Sequence, residues 1–150
     1  MKYIAHRGNL LGPDKDKENN PDYIDEALSH GFDAEIDLWK INDNLFLGHD
    51  DPKYKIDVDW LERRSKNLWI HCKNVDALVF MNYRITFNYF WHDSDLAVLT
   101  SKGFIWAYPG KQPILNSIAV MPEWHNDDLS LCAGICTDYV MKYVNSKGKE

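Results

Sequence analysis

Segment 33–39, DAEIDLW, places two carboxylates inside a stretch with the apolar composition of a buried strand. Successive side chains of a strand point to opposite faces, so Glu35 and Asp37 share one face while the apolar residues around them share the other. Neighbouring buried carboxylates repel each other and lose hydration, so they need a cation, a proton or an arginine beside them. A divalent metal ion is the simplest such partner. A solvent-facing acidic stripe on an antiparallel strand explains the same pattern, and the segment alone leaves both interpretations open.

Length and composition indicate a single folded domain spanning residues 1–150. The 45% hydrophobic content, six Trp and eight Tyr exclude a disordered chain. A formal net charge of −6 argues against a nucleic-acid partner. No apolar signal core and no run long enough to cross a membrane is present, so we expect a cytoplasmic protein. The three cysteines lack CxxC spacing, which favours neither disulfides nor a cysteine zinc site.

Two elements are predicted before the acidic strand. Residues 2–6 form a short strand that ends at His6 and Arg7, and Asn20-Pro21 begins a helix that closes at Gly31. A strand joined through a helix to another strand most often makes a right-handed parallel unit. The carboxyl ends of the two strands then converge, which brings His6, Arg7, Glu35 and Asp37 to one rim.

The middle of the chain continues this alternation. Residues 40–51 read as a hairpin whose last segment, 48–51, contains His49, and residues 68–73 read as a strand on which His71 and Lys73 share a face. Asn74 caps a helix through residue 83 whose predicted apolar stripe is Val75, Leu78 and Val79. A further strand is predicted at 87–91.

Strand spacing predicts the fold class. Early strands recur about every thirty residues, but the apolar segments 104–108, 117–121 and 134–138 follow at about fifteen, which is too short for full helices. We therefore predict an α/β fold: a reduced or distorted TIM-type (β/α) barrel. It would have about seven or eight mostly parallel strands and few helices in its C-terminal half.

Four motifs occur in order: His6-Arg7-Gly8, Glu18-Asn19, Glu35-Ile36-Asp37 and Gly48-His49-Asp50, with a weaker G-x-x-T-D at 134–138. With these motifs the sequence resembles the glycerophosphodiester phosphodiesterase family of the phospholipase-C-like superfamily. The resemblance implies a parallel barrel whose active site lies at the carboxyl rim. It also implies metal-dependent hydrolysis of a phosphodiester.

Carried over by position, the resemblance assigns Glu35 and Asp37 to a Mg²⁺ or Ca²⁺ ion, since both cations prefer oxygen ligands. His6 and His49 would be the acid/base pair, because one imidazole must take a proton and the other must give one. Arg7 would grip the phosphate, whose oxygens need neutralising.

Four further positions complete the predicted site. Lys73 keeps the family position and would add a phosphate contact. Glu18 would orient Arg7 or complete the outer metal shell, although a loop glutamate before a helix often serves only the helix dipole. His71 stands where the family has a glutamate. It is a metal ligand that shifts preference toward softer metals, or a core histidine beside a two-carboxylate site that binds metal weakly. Glu123 would be an alternative oxygen ligand.

Several other side chains have open roles. His92 is structural or contacts substrate, and Asp138 is a rim carboxylate or a helix cap. The aromatic residues at the later strands are packing residues, or line a pocket. This set comprises Tyr89, Trp91, Trp106 and Tyr108.

The sequence therefore predicts a metal-dependent hydrolase of a small glycerophosphodiester-like or sugar-phosphate diester. The alternative is a diverged, non-catalytic module that binds a phosphate ligand, which the His71 substitution and the short chain motivate. A homodimer is a further prediction, because a second copy would cover the incomplete helical layer.

Overall fold

The computed structural model describes residues 1–147. Ten strands lie in this range, and all belong to one mixed sheet. The strands are β1 (Lys2–His6), β2 (Asp33–Ile41), β3 (Asn44–Leu47), β4 (Tyr54–Ile56), β5 (Leu68–Cys72), β6 (Asn88–Trp91), β7 (Ala97–Leu99), β8 (Ile105–Ala107), β9 (Ser117–Val120) and β10 (Gly134–Thr137).

Seven strands run parallel in the order β6-β5-β2-β1-β10-β9-β8. The β3-β4 hairpin extends antiparallel from the end of β2, and β7 pairs antiparallel with β8. The sheet is curved, but between residues 1 and 147 no strand ladder joins β6 to β8. The sheet is therefore an open half-barrel.

The predicted TIM-type barrel is therefore wrong. The sheet is mixed rather than uniformly parallel, and four α-helices in the described residues cannot form a helical ring around it. A barrel needs its edge strands to pair, whereas here the three-residue β7 occupies that edge of the sheet. The antiparallel strands β3, β4 and β7 occupy connections that crossover helices fill in a TIM barrel.

The helices cover mainly the strands from the first half of the chain. They are α1 (Pro21–Ser29), α2 (Val58–Arg63), α3 (Val75–Asn82) and α4 (Val140–Lys147), with a 3-10 helix at Pro122–Trp124. Asn20 caps α1 by accepting a hydrogen bond from the Asp22 amide, and Asn74 caps α3 by accepting one from the Ala77 amide. None of the helices within residues 1–147 has the length and apolar character that crossing a membrane requires.

Side-chain alternation along the strands gives the sheet two different faces. On β2, Ala34, Ile36 and Leu38 pack outward against helices, in a cluster that includes Ile24 of α1 and Met81 of α3. The inner face carries a second, aromatic-rich cluster. It consists of Ile4, Trp69, Phe90, Trp106, Ile118, Val120, Met121 and Cys136. Glu35 and Asp37 lie on this inner face, as the sequence predicts.

Candidate active site

The parallel register aligns the predicted site residues in neighbouring strands. His6 of β1 pairs with Glu35 of β2, and Asp37 pairs with His71 of β5. Since these strands run in the same direction, their carboxyl ends bring the four side chains to one rim of the half-barrel. Both carboxylates are buried, with Glu35 2% and Asp37 0% exposed. The interpretation of 33–39 as a solvent-facing acidic stripe is therefore wrong.

The two carboxylate oxygens of Asp37 have different contacts. Its Oδ2 accepts a hydrogen bond from Asn19 Nδ2 at 2.9 Å and lies 3.1 Å from Arg7 Nε. Its Oδ1 lies 3.0 Å from His71 Nδ1 and 3.8 Å from Lys73 Nζ, yet this buried atom has no partner in hydrogen-bond geometry. Burial would raise the Asp37 pKa, but His71 and Arg7 outweigh it and hold the pKa well below its usual range. Asp37 is thus an ionised carboxylate whose Oδ1 lies near two nitrogen atoms but accepts no hydrogen bond from them.

Glu35 has fewer neutralising contacts. Its Oε2 accepts the Arg7 backbone N–H at 3.3 Å and lies 3.9 Å from His6 Nε2. Burial and the nearby Asp37 charge raise the pKa of the Glu35 carboxyl. A cation placed between the two carboxylates would reverse this effect.

The residues present fit a divalent metal ion. Glu35, Asp37 and His71 each offer one ligand atom, and these atoms lie within 4.8 Å of one another. The unpartnered Asp37 Oδ1 is the acceptor that such an ion would satisfy. One imidazole among two carboxylates makes the set softer than an all-oxygen site, which favours ions such as Mn²⁺ over Ca²⁺.

His71 is itself held on both sides. Its ring stacks on Phe90 with the centroids 5.2 Å apart, and Nε2 lies 3.3 Å from the His92 carbonyl oxygen. The imidazole therefore points Nδ1 at Asp37. Glu123, the alternative ligand, is engaged elsewhere, because it accepts hydrogen bonds from Thr137 Oγ1 at 2.8 Å and Tyr143 OH at 3.3 Å.

His6 is oriented by a carboxylate from the far end of the chain. Its Nδ1 lies 2.8 Å from Asp138 Oδ1, which also accepts a hydrogen bond from Asn9 Nδ2 at 2.8 Å. Burial lowers the His6 pKa, but the Asp138 contact and Glu35 outweigh it, so the pKa is raised. The same contact holds the Asp138 pKa low against the effect of burial. Asp138 is therefore a rim carboxylate, one of the two roles the sequence left open.

Arg7 bridges the site from an unusual backbone conformation. It has φ of 53°, in the left-handed region, and its Nη1 donates to Glu18 Oε2 at 3.1 Å. Glu18 also accepts from Asn9 Nδ2 at 3.0 Å, so it orients Arg7 rather than serving only a helix. Asn19 is held similarly, with φ of 64°, and its Oδ1 accepts the Asp37 N–H at 2.9 Å. No role was predicted from the sequence for Asn9 or Asn19, although Asn19 belongs to the Glu18-Asn19 motif.

His49 approaches from the β3-β4 connection and is the most exposed of the predicted site residues. Its Nδ1 lies 2.8 Å from Asp50 Oδ1, and burial together with the Arg7 charge lowers its pKa. His49 and His6 line one cavity of about 630 Å³, together with Arg7 and Glu35. The structure thus brings His6, His49, Arg7, Glu35 and His71 to one concave surface, whereas Asp37, which is fully buried, and Lys73 do not line it.

The opposite wall of this cavity is apolar. Trp106 and Tyr108 line it beside His92, whose ring stacks on Tyr108 with the centroids 3.7 Å apart. By contrast, Tyr89 and Trp91 alternate to the outer face of β6 and do not reach the cavity. Trp106 and Tyr108 therefore line the pocket, whereas Tyr89 and Trp91 lie on the other face of the sheet, as strand alternation requires.

We compared the chain with protein-family models, with curated proteins and with solved structures, and none of the three comparisons gave a match.

Proposed function

We propose that the protein is a metal-dependent phosphodiester hydrolase acting on a small diester of the glycerophosphodiester or sugar-phosphate type. The observation that carries the proposal is the cluster of Glu35, Asp37 and His71, whose ligand atoms lie within 4.8 Å of one another beside a cavity that Glu35 and His71 line together with His6 and His49. The ordered motifs that resemble glycerophosphodiester phosphodiesterases support the same chemistry.

In this proposal Glu35, Asp37 and His71 would hold the divalent cation. When bound, the ion would neutralise a non-bridging phosphate oxygen and so lower the barrier to attack. The Arg7 guanidinium and the Lys73 ammonium, both beside Asp37, bind the remaining phosphate charge.

The two histidines take opposite proton-transfer roles. His6 lies between the carboxylates of Asp138 and Glu35, which favour its imidazolium form, so it donates a proton to the leaving alcohol. Partial burial and the Arg7 charge lower the pKa of His49, which favours the neutral imidazole, so His49 accepts the proton from the attacking hydroxyl. The Asp138 contact fixes Nδ1 of His6 and leaves Nε2 free to act.

The test is turnover of a panel of small phosphodiesters by purified protein with Mg²⁺, Ca²⁺ or Mn²⁺. We expect His6→Ala and His49→Ala each to lower kcat/KM by about 100-fold or more. His30→Ala is the matched control, because His30 is an exposed histidine outside the cavity. Equal activity of all four proteins, or none with any metal, would contradict the proposal.

A second candidate is a non-catalytic module that binds a phosphate ligand. The position of His71 favours it, since the imidazole Nδ1 lies 3.0 Å from Asp37 Oδ1, where a cation would otherwise bind. Calorimetric titration with divalent ions separates the candidates, because the hydrolase needs a measurable metal affinity and the module does not.

A further inference from the structure

The cavity has two chemically different walls. One carries the charged groups described above, and the other is built from ring faces and aliphatic side chains. The apolar wall has a buried floor of Phe90 and Trp106 and a rim of Tyr108, Trp124 and Tyr139. A small polar alcohol such as glycerol would leave this wall without a matching surface.

Trp124 is the rim residue with the least structural explanation. It is 66% exposed although it lies on a rigid turn at the cavity. An exposed Trp contributes little to folding, whereas Trp side chains on rigid surfaces are frequent anchors for ligands.

The turn that carries Trp124 is held by several contacts. Met121 adopts φ of 44°, a strained conformation for this residue, and its N–H donates to the Cys136 carbonyl at 2.8 Å. Pro122 is buried, and Glu123 is bonded to Thr137 and Tyr143. The backbone strain and these contacts hold the turn that places Trp124 at the cavity.

The neighbouring rings are also fixed. Tyr108 is stacked on His92, and Phe90 is stacked on His71 and lies 4.6 Å from Trp106 between ring centroids. Phe90 and Trp106 are 3% and 2% exposed, so the rings accessible to a ligand are those of Tyr108, Trp124 and Tyr139 at the rim. A rim whose rings rest on this packed floor suits a planar group better than a flexible chain, because stacking then costs little side-chain entropy.

We propose that the apolar wall binds a planar ring on one ester arm of the substrate, which makes the ligand a phosphodiester bearing an aromatic or similar flat ring. This inference rests on the proposed function for the position of the phosphate. The inference adds to the proposed function by naming the group that the second ester carries.

The test is binding rather than turnover. NMR titration of the protein in Mg²⁺ compares dimethyl phosphate, methyl phenyl phosphate and methyl hexyl phosphate, which differ in one ester group only. We expect the phenyl diester to bind about tenfold more tightly than the dimethyl diester and more tightly than the hexyl diester. Trp124→Ala should reduce this phenyl advantage to about threefold or less, and Trp124→Phe should retain most of it.

Tyr83→Ala is the control, because Tyr83 is an exposed aromatic residue away from the cavity, and it should match the wild type. Equal affinity for the phenyl and dimethyl diesters, equal affinity for phenyl and hexyl, or an unchanged ratio in Trp124→Ala would each overturn the inference. If dimethyl phosphate binds but the phenyl group adds nothing, only the ring site fails. If no diester binds, the phosphate site of the proposed function fails as well.

Discussion

His71 Nδ1 lies 3.0 Å from Asp37 Oδ1, and the two residues are direct partners in the parallel register of β2 and β5. The contact lacks hydrogen-bond geometry, so the imidazole is close to the carboxylate without satisfying it. This pair determines how strongly the site attracts a cation, because His71 is at once a candidate ligand and a competitor for Asp37.

Replacing His71 by Glu would test this dual role. A third carboxylate beside Glu35 and Asp37 adds an uncompensated buried charge, so we expect the metal-free variant to lose about 3 kcal/mol in the free energy of unfolding. The same change should raise Ca²⁺ affinity about tenfold or more, since all three ligands are then oxygens. Chemical denaturation with and without Ca²⁺, and calorimetry, measure both effects. His71→Gln is the neutral control, and equal Ca²⁺ affinity in the Glu variant and the wild type would refute the ligand assignment.

Asp138→Asn should lower the pKa of His6. The His6 pKa is raised from 6.5 because Asp138 and Glu35 outweigh burial and the opposing Arg7 charge, so loss of the Asp138 charge removes a main cause. NMR titration of the His6 ring measures the shift. Asp43→Asn, at an exposed turn, should leave the His6 pKa unchanged.

The same variant carries a pH signature in stability. Because the His6 pKa is raised, the contribution of His6 to the free energy of unfolding is complete below pH 6.5 and is lost as pH rises through the folded pKa. Because the Asp138 pKa is lowered, the contribution of Asp138 to the free energy of unfolding is present above pH 3.8 and is lost as pH falls through the folded pKa. The stability difference between wild type and Asp138→Asn should therefore be largest between about pH 4 and 6.5, at about 1–2 kcal/mol. A difference that is constant from pH 5 to 9 would contradict the ionic contact.

Asn19→Ala should destabilise the protein because Asn19 bonds both the side chain and the backbone N–H of Asp37. Asn116→Ala is a matched control, since Asn116 also has a left-handed backbone, with φ of 58°, but is exposed. We expect the loss in Asn19→Ala to exceed that in Asn116→Ala by about 2 kcal/mol, measured by denaturant unfolding. Equal losses would mean that the Asp37 bonds add nothing beyond backbone conformation.

Gly48→Ala should move His49 out of position. A Cβ at Gly48 would lie 2.0 Å from the Asp51 carbonyl oxygen, so the turn before β4 must shift. We expect a stability loss of about 2 kcal/mol and about a tenfold fall in kcat/KM for the proposed diesterase reaction. Gly103→Ala is the control, because nothing lies within 4 Å of a Cβ there although φ is also positive. Activity of Gly48→Ala equal to that of Gly103→Ala would exclude a role for the turn in placing His49.

Local sequence determined the parts of the structure that depend on neighbouring residues alone. The first strand at Lys2–His6 and the helix caps at Asn20 and Asn74 lie where the sequence predicts. The common inward face of Glu35 and Asp37 follows from strand alternation, which needs no knowledge of the rest of the chain.

Tertiary structure decided what covers each surface. In α3 the predicted stripe is correct at Leu78, which packs against the core, but wrong at Val75 and Val79, which are 63% and 53% exposed. Ala77 and Met81 are buried instead. The strands β4 and β7 have three residues each, too few for a periodic pattern, and they gain their hydrogen bonds only from neighbours already in the sheet.

The open half-barrel and the Asp138 contact have the same origin. Whether a curved sheet closes depends on pairing between edges that are distant in sequence. The His6–Asp138 contact likewise joins residues 132 positions apart, so no local pattern contains it. The sequence by itself determined which side chains share a face of a strand, because alternation is a property of a single strand. The tertiary structure decided which of these side chains contact each other, because such contacts require several strands to come together.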